Sequence, residues 1–186
     1  MRKLSVFNNV SLDGYFTDSS GDMSWAHKQD AEWNEFVAGN ASGGGALVLG
    51  RVTYEMMAGF WPTPAALAMN PVVAERMNTM PKAVFSRTLD KASWNNTRLL
   101  KGDLAAEMRK LKAEPGPDMV ILGSGSIVAQ LASAGLIDEY QVVVHPFALG
   151  GGRTLFQGVP RRLGLTLQKT RAFGNGAVVL WYQPAA

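Results

Sequence analysis

The chain has 186 residues, of which 47% are hydrophobic and 18% charged, with a formal net charge of +3 and no cysteine. This balance is typical of a globular protein, and we expect a single domain over residues 1–186. The absence of cysteine excludes disulfides and thiolate metal sites. Scattered Lys and Arg argue against a nucleic-acid partner, and no apolar run is long enough to span a membrane. We therefore expect a soluble cytoplasmic protein with a small-molecule partner.

The first predicted elements are a strand, a long polar loop and a helix. Residues 3–10 alternate as a strand does, whereas residues 11–25 are rich in Asp, Gly, Ser and Thr and predict a loop that serves a function. After Asp30, apolar residues such as Trp33 and Phe36 recur with the spacing of one helix face. The elements predicted next are a strand at 46–49, a helix over 51–57, a helical piece around 70–79, and strands at 82–86 and 97–100.

The second half continues the alternation and then changes. Asp103 predicts the start of a helix, because aspartate is a favoured N-cap. The elements predicted after it are a strand at 119–122, a helix through Ile127 and Leu131, a strand at 138–145, and a hairpin of 163–173 and 177–183. Gly174–Asn175–Gly176 is a strong hairpin turn signal. The order predicts an α/β fold with a mostly parallel sheet, helices on both faces and a C-terminal antiparallel hairpin.

Polar turns follow three of the predicted strands, at the strand ends where open α/β sheets bind ligands. In the first turn Gly50 allows a tight bend, and Arg51 and Thr53 then lie at a helix start that favours an anion. The second turn consists of Ser86, Arg87 and Thr88, in which a guanidinium lies between two hydroxyl groups. This combination is suited to binding a phosphate. Each turn is also compatible with an ordinary polar connection.

The third turn, Gly123–Ile127, resembles a dinucleotide-binding glycine turn. Gly123 and Gly125 allow backbone N–H groups to approach a pyrophosphate at the start of the next helix. The other residues of this turn are Ser124, Ser126 and Ile127. A Rossmann-type dehydrogenase is one alternative for this pattern. Val128 in place of a third glycine and the late position in the chain argue against that alternative.

The order and spacing of these turns resemble the dihydrofolate reductase superfamily. Within it, the chain resembles the reductase domain of the bifunctional riboflavin-biosynthesis deaminase-reductase and its stand-alone relatives, over nearly the whole length. The segments that carry the resemblance are VSLDGYF at 10–16, LGRVTYE at 49–55, SRT at 86–88, LGSGSIVAQL at 122–131 and LIDEYQVVVHPFALGGGRTLF at 136–156. We expect no zinc deaminase domain within these 186 residues, because they include no cysteine and leave no room for one.

The resemblance implies a dihydrofolate-reductase-like three-layer sandwich and an NADPH-dependent reductase that transfers hydride to a flat heterocycle. The heterocycle is a 5-amino-6-(5-phosphoribosylamino)uracil-type pyrimidinone or a dihydrofolate-type pterin. It also implies a homodimer. The first turn is then expected to contact the adenine side and the phosphates, the second the 2′-phosphate, and the third the pyrophosphate. Ser124 stands where dihydrofolate reductases often have a second glycine.

On the substrate side, the sequence offers three candidates, each with a structural alternative. Asp30 is the candidate catalytic acid, although an N-cap is the simpler interpretation. Asp13 is a candidate substrate ligand or an Asx turn. Trp25 is expected to line a flat pocket, together with Trp33, Phe60 and Trp61, of which Trp33 fits the core better. His27 and His145 lack the carboxylate partners of a metal site, and no metal is expected.

A non-catalytic NADPH-binding module is the principal alternative to an enzyme. The simpler interpretation of Asp30 as an N-cap favours this module, because it leaves no assigned catalytic acid. Hydride transfer itself requires little of the side chains, because the cofactor carries the chemistry and the protein orients it and excludes water. The loop at 11–25 is expected to supply that closure.

Overall fold

The fold is described by a computed structural model that covers residues 1–26 and 30–185. Its strands are β1 (Leu4–Ser11), β2 (Tyr15–Thr17), β3 (Ala46–Gly50), β4 (Lys82–Phe85), β5 (Thr97–Leu100), β6 (Met119–Leu122), β7 (Glu139–His145), β8 (Arg153–Thr154), β9 (Leu165–Ala172) and β10 (Val178–Pro184). Its α-helices are α1 (Ala31–Ser42), α2 (Arg51–Phe60), α3 (Pro64–Met69), α4 (Pro71–Thr79), α5 (Leu104–Ala113) and α6 (Gly125–Ser133), and Ser24–Ala26 form a 3₁₀ turn.

Eight strands form one sheet in the order β5-β4-β3-β6-β1-β7-β10-β9. The pairs from β5 to β7 are parallel, and β10 is antiparallel to both β7 and β9. The remaining two strands, β2 and β8, pair as a small separate antiparallel sheet. The predicted α/β architecture with a C-terminal antiparallel hairpin is therefore confirmed.

Alternate residues of the central strands enter cores on opposite faces of the sheet. Val48 and Ile121 pack with α5 and α6, whereas Leu47 and Leu49 pack with α2 and α4. A third cluster under α1 is aromatic, and it contains Trp33, Phe36, Phe173 and Trp181 together with Phe7 of β1. β3 and β4 are buried on both faces, and β6 alternates buried and half-buried residues, which explains the short, continuous apolar runs of these strands.

Local sequence signals explain where most of the helices begin. Asp30 and Asp103 accept hydrogen bonds from the backbone N–H groups of Trp33 and Ala106, and they cap α1 and α5. Thr63 and Asn70 cap α3 and α4 in the same way, each followed by a proline at the first helical position. Proline is favoured there because its missing N–H would have no partner in the helix.

Two parts of the chain differ from the sequence expectation. The segment 11–25 is not simply a loop, because it contains β2 and the 3₁₀ turn. The second difference is α3, which lies between the predicted helices of 51–57 and 70–79, where the sequence predicted no element. Thr63 caps this helix and Pro64 begins it, and the Thr63 hydroxyl also donates to the carbonyl of Phe60, the last residue of α2. Within residues 1–26 and 30–185, no helix has both the length and the apolarity to cross a bilayer.

Candidate functional site

Adjacent strand ends bring the three predicted turns together at one edge of the sheet. Gly50 of β3 is paired with Phe85 of β4, so Arg51 and Ser86 leave neighbouring strands side by side. On the other side of β3, Val48 is paired with Ile121 of β6, which brings the residues two positions further along, Gly50 and Gly123, level with each other. The parallel register therefore gathers residues that are far apart in sequence.

Hydroxyl groups join the first turn to the third. The Ser124 hydroxyl lies 3.0 Å from Thr53 Oγ1 and accepts the N–H of Gly50 at 3.0 Å. The N–H of Ser124 also donates to Thr53 Oγ1 at 3.2 Å. Thr53 and Ser124, both expected to contact a cofactor, thus hold the two turns to each other in this structure.

The third turn has an unusual backbone, and polar groups around it hold it in place. Gly123 and Ser124 both have a φ of 55°, in the left-handed region that disfavours a residue with a side chain. A Cβ on Gly123 would lie 3.2 Å from the Thr53 side chain, so glycine is needed there for space as well. Asn8, which is buried in β1, donates from Nδ2 to the Gly123 carbonyl at 2.9 Å.

The start of α6 offers unused donors to an anion. Among the residues that the structure describes, the N–H groups of Gly125 and Ser126 donate to no protein atom. The N–H groups of Ile127 and Val128 both bond to the Ser124 carbonyl. Phe16 of β2 packs so closely on Gly125 that an added Cβ would lie 2.6 Å from its ring. Free N–H groups and the helix dipole favour negative charge here.

Two exposed guanidinium groups lie on the strand ends beside this turn. Arg51 forms an ion pair with Glu55 at 2.9 Å, and both side chains are about half exposed. Arg87 is exposed in the second turn, where the Ser86 hydroxyl accepts the N–H groups of Thr88 and Leu89. Such exposed pairs contribute little to stability, so Arg51 can exchange its partner for an anion at low cost.

Asp13 ties the segment after β1 to the segment after β7. Its carboxylate accepts the Ser11 hydroxyl at 2.6 Å and the N–H groups of Leu149 and Gly150 at 3.0 and 2.8 Å. These hydrogen bonds, led by that from Ser11, lower the pKa of Asp13 to about 2. The local turn is made by Ser11, whose hydroxyl accepts the N–H of Tyr15, rather than by Asp13 as an Asx turn.

Asp30, the candidate acid, serves as the N-cap of α1. Its Oδ1 accepts the N–H of Trp33 at 2.9 Å. The neighbouring carboxylate, Glu32, pairs with Arg171 of β9 at 3.0 Å. The capping interpretation of Asp30 is therefore confirmed, and one of its oxygens is engaged in that role.

The aromatic residues separate into two groups. Trp25 is partly exposed and packs edge-to-face against His145 and Phe147, with ring centroids 5.6 and 5.1 Å apart. Trp33 is buried, as expected of a core residue, and its ring centroid is 6.2 Å from that of His145. Phe60 and Trp61 contact each other at the other end of α2 and do not join this group. His27 lies outside the described residues.

Sequence reasoning missed the residues that support the site from β1 and β2. Asn8 and Asn9 are consecutive polar residues in a strand with apolar neighbours, and Asn8 is almost fully buried. Their position in a central strand was the available signal, because a buried amide requires a partner. Phe16 gave no such signal, since its contact with Gly125 joins segments more than a hundred residues apart.

Comparison with known proteins agrees with this geometry. The family model described as the RibD C-terminal domain matches residues 2–179. The chain is similar to two uncharacterized proteins of Bacillus subtilis (strain 168). It is 27% identical to YyaP over 182 residues, which are 97% of this chain and 94% of YyaP. It is also 27% identical to YwjB over 181 residues, 97% of each chain.

Solved structures share the fold. A Shewanella sp. PV-4 protein assigned to riboflavin biosynthesis has a TM-score of 0.76 and 24% identity, with 99% of each chain covered. The Thermotoga maritima deaminase/5-amino-6-(5-phosphoribosylamino)uracil reductase has a TM-score of 0.70 and 14% identity, over 99% of this chain and 57% of that one. The Enterococcus faecalis dihydrofolate reductase complexed with NADP(H) has a TM-score of 0.65 and 14% identity, over 99% and 97%. The fold is dihydrofolate-reductase-like, and the chain belongs to the RibD C-terminal domain family.

Proposed function

We propose that the protein is an NADPH-dependent reductase that transfers hydride to a substrate built on a flat heterocycle, a pyrimidinone or a pterin. The observation that carries this proposal is the convergence of the three turns, in which Ser124 bonds to Thr53 and Gly50. Family membership adds the expectation of a reductase, because the matching model is that of the RibD C-terminal domain.

The residues at this edge fit a phosphate-bearing cofactor. The two donors at Gly125 and Ser126 and the dipole of α6 suit the pyrophosphate, and Arg51 and Arg87 suit the remaining phosphate charge. Ser86 and Thr88 flank Arg87 and would orient the 2′-phosphate. NADPH, when bound, supplies the hydride, while the protein binds it, orients it and excludes water.

The aromatic side chains near the carboxyl ends of β1 and β7 are the proposed substrate side. Trp25 supplies partly exposed ring surface there. Asp13 joins the segment after β1 to the segment after β7 through the N–H groups of Leu149 and Gly150. Asp30 would act as an acid only through its second oxygen, since Oδ1 caps α1. We also propose a single domain, a cytoplasmic location and a homodimer.

The test combines NADPH binding with NADPH consumption. Purified protein is titrated with NADPH, and NADPH oxidation is then followed with dihydrofolate and with 5-amino-6-(5-phosphoribosylamino)uracil. We expect saturable binding and turnover of at least one compound. A folded protein that binds no NADPH would contradict the proposal.

A cofactor-binding module without catalysis is the second candidate. The capping role of Asp30 favours it, because this bond leaves the candidate acid only one oxygen for substrate. Saturable NADPH binding with no oxidation across the panel would support the module. Turnover abolished by Asp30→Asn, in a variant that retains cofactor binding and thermal stability, would instead assign Asp30 to catalysis.

A further inference from the structure

A partly buried hydrogen bond joins β1 to β7 beside the aromatic side chains of the proposed substrate side. His145 Nε2 lies 2.9 Å from Asn9 Oδ1, and His145 is only 1% exposed. Because Oδ1 is an acceptor, Nε2 is the donor, and the bond fixes the plane of the Asn9 carboxamide. The rings of Trp25, Trp33 and Phe147 surround His145, with centroids 5.6, 6.2 and 6.1 Å away.

The NH2 group of the Asn9 carboxamide is available to a ligand. Asn9 is partly exposed, and within the described part of the chain its Nδ2 donates to no protein atom. The amide oxygen is held by its hydrogen bond to His145, and the NH2 group remains open. Such an amide is a preorganised donor. Polar groups of this kind, set among apolar and aromatic side chains, fix the orientation of a ligand in a binding site.

Asn9 is also next to the residue that supports the candidate cofactor turn. Asn8, on the opposite face of β1, bonds to the carbonyl of Gly123. Consecutive strand residues point to opposite faces, so β1 supports the cofactor turn with one asparagine and presents the other on the side of α1. A substrate that receives hydride must lie against the cofactor, and Asn9 occupies the strand that connects the two places.

We propose that Asn9 is a substrate-binding residue whose NH2 group donates to a ring carbonyl of the heterocycle, and that His145 is the positioning residue that orients it. This inference rests on the proposed function and adds a specificity to it. A ring with a carbonyl at the contacted position is preferred over the same ring with an amino group there, because two donors facing each other leave both without an acceptor.

Folic acid and aminopterin are matched probes for this preference, because they differ in a carbonyl or an amino group at one ring position. Each is titrated into wild type saturated with NADP⁺, and the ratio of the two dissociation constants is compared among variants. Wild type should prefer folic acid. Asn9→Leu should weaken folic acid about tenfold, the effect of one lost hydrogen bond. Asn9→Asp, which replaces the donor by an acceptor, should reverse the preference.

His145→Phe tests the positioning role. It should reduce the preference for folic acid in the wild-type background and change nothing further when Asn9 is already Leu. Asn40→Leu, the same change at an exposed position of α1, is the control and should leave both dissociation constants unaltered. If Asn9→Leu fails to fold, the nearly isosteric Asn9→Asp still decides the outcome.

Two results would overturn the inference and leave the reductase proposal intact. One is an unchanged ratio in Asn9→Leu and Asn9→Asp. The other is a wild type that binds NADP⁺ but neither probe. Failure of the reductase proposal has a different signature, which is a folded wild type that binds neither NADPH nor NADP⁺.

Discussion

The Ser124 hydroxyl lies 3.0 Å from the Thr53 hydroxyl, and this contact joins the start of α2 to the turn before α6. Thr53 also accepts the N–H of Ser124, so it supports a residue with a left-handed backbone. The cost of that conformation is of order 1 kcal/mol, similar to the gain from one or two hydrogen bonds. The pair therefore explains how serine is accommodated at a left-handed position that favours glycine.

Replacing Thr53 by valine tests this support. Thr53→Val keeps the shape of the side chain and removes both bonds to Ser124, so the turn should lose its fixed conformation. We expect NADPH to bind about tenfold more weakly, as for the loss of about 1.4 kcal/mol. Tryptophan fluorescence titration measures this affinity. Thr53→Ser retains the hydroxyl and should bind as wild type does; equal loss in both variants would contradict the explanation.

A second prediction concerns the ion pair between the buried Lys112 and the Asp138 carboxylate, whose side chain is 42% exposed. Lys112 is 6% exposed, and its Nζ bonds to Asp138 and to the Leu136 carbonyl. Asp138→Asn should lower the free energy of unfolding by about 2 kcal/mol, because it leaves a buried cation without a counter-charge. Urea denaturation measures this change.

The exposed pair of Arg98 and Glu114 provides the matched control. Glu114→Gln should change the free energy of unfolding by less than about 0.5 kcal/mol, since solvent screens this pair. Equal changes in the free energy of unfolding for the two substitutions would contradict the explanation that burial of Lys112 makes its ion pair more important for stability.

The Asp13 carboxylate should stabilise the protein in a pH-dependent way. Its pKa is about 2 in the folded protein, against an ordinary value of 3.8, because of the bonds from Ser11, Leu149 and Gly150. A lowered pKa gives stability that is fully present above pH 4 and is lost as the pH falls towards 2. Urea denaturation of wild type and Asp13→Asn should differ at pH 6 and converge near pH 2. A difference independent of pH would contradict the role of the charge.

Lys82 should make the stability of the protein depend on pH in the alkaline range. Burial lowers its pKa to about 8, from 10.5, although its Nζ donates to the carbonyls of Met80 and Asn95. Between pH 8 and 10 the unfolded chain holds this proton and the folded protein releases it, so wild-type stability should rise with pH. Lys82→Met should therefore become more destabilising, relative to wild type, as the pH rises from 7.5 to 9.5. A constant difference would contradict the lowered pKa.

The sequence predicted the parts of the fold that depend on local signals. The cap at Asp103 and the turn at Gly174–Asn175–Gly176 are confirmed, because caps and hairpin turns are specified by a few neighbouring residues. The pairing of β2 with β8 was not predicted, since it depends on contacts across more than a hundred residues. Thr53 and Ser124 illustrate the same limit, because the sequence marks both as polar turn residues but does not show that they bond to each other.

Comparison of the affinities for NADPH and NADH, in wild type and in Arg87→Ala, tests whether these turns bind NADPH. The two cofactors differ in the 2′-phosphate, which the exposed turn of Ser86, Arg87 and Thr88 is proposed to hold. Wild type should bind NADPH at least tenfold more tightly than NADH, and Arg87→Ala should remove most of that difference while NADH binding stays unchanged. Arg161→Ala, at another exposed arginine, should retain the preference. Equal affinities in wild type, or a preference that survives Arg87→Ala, would contradict the account.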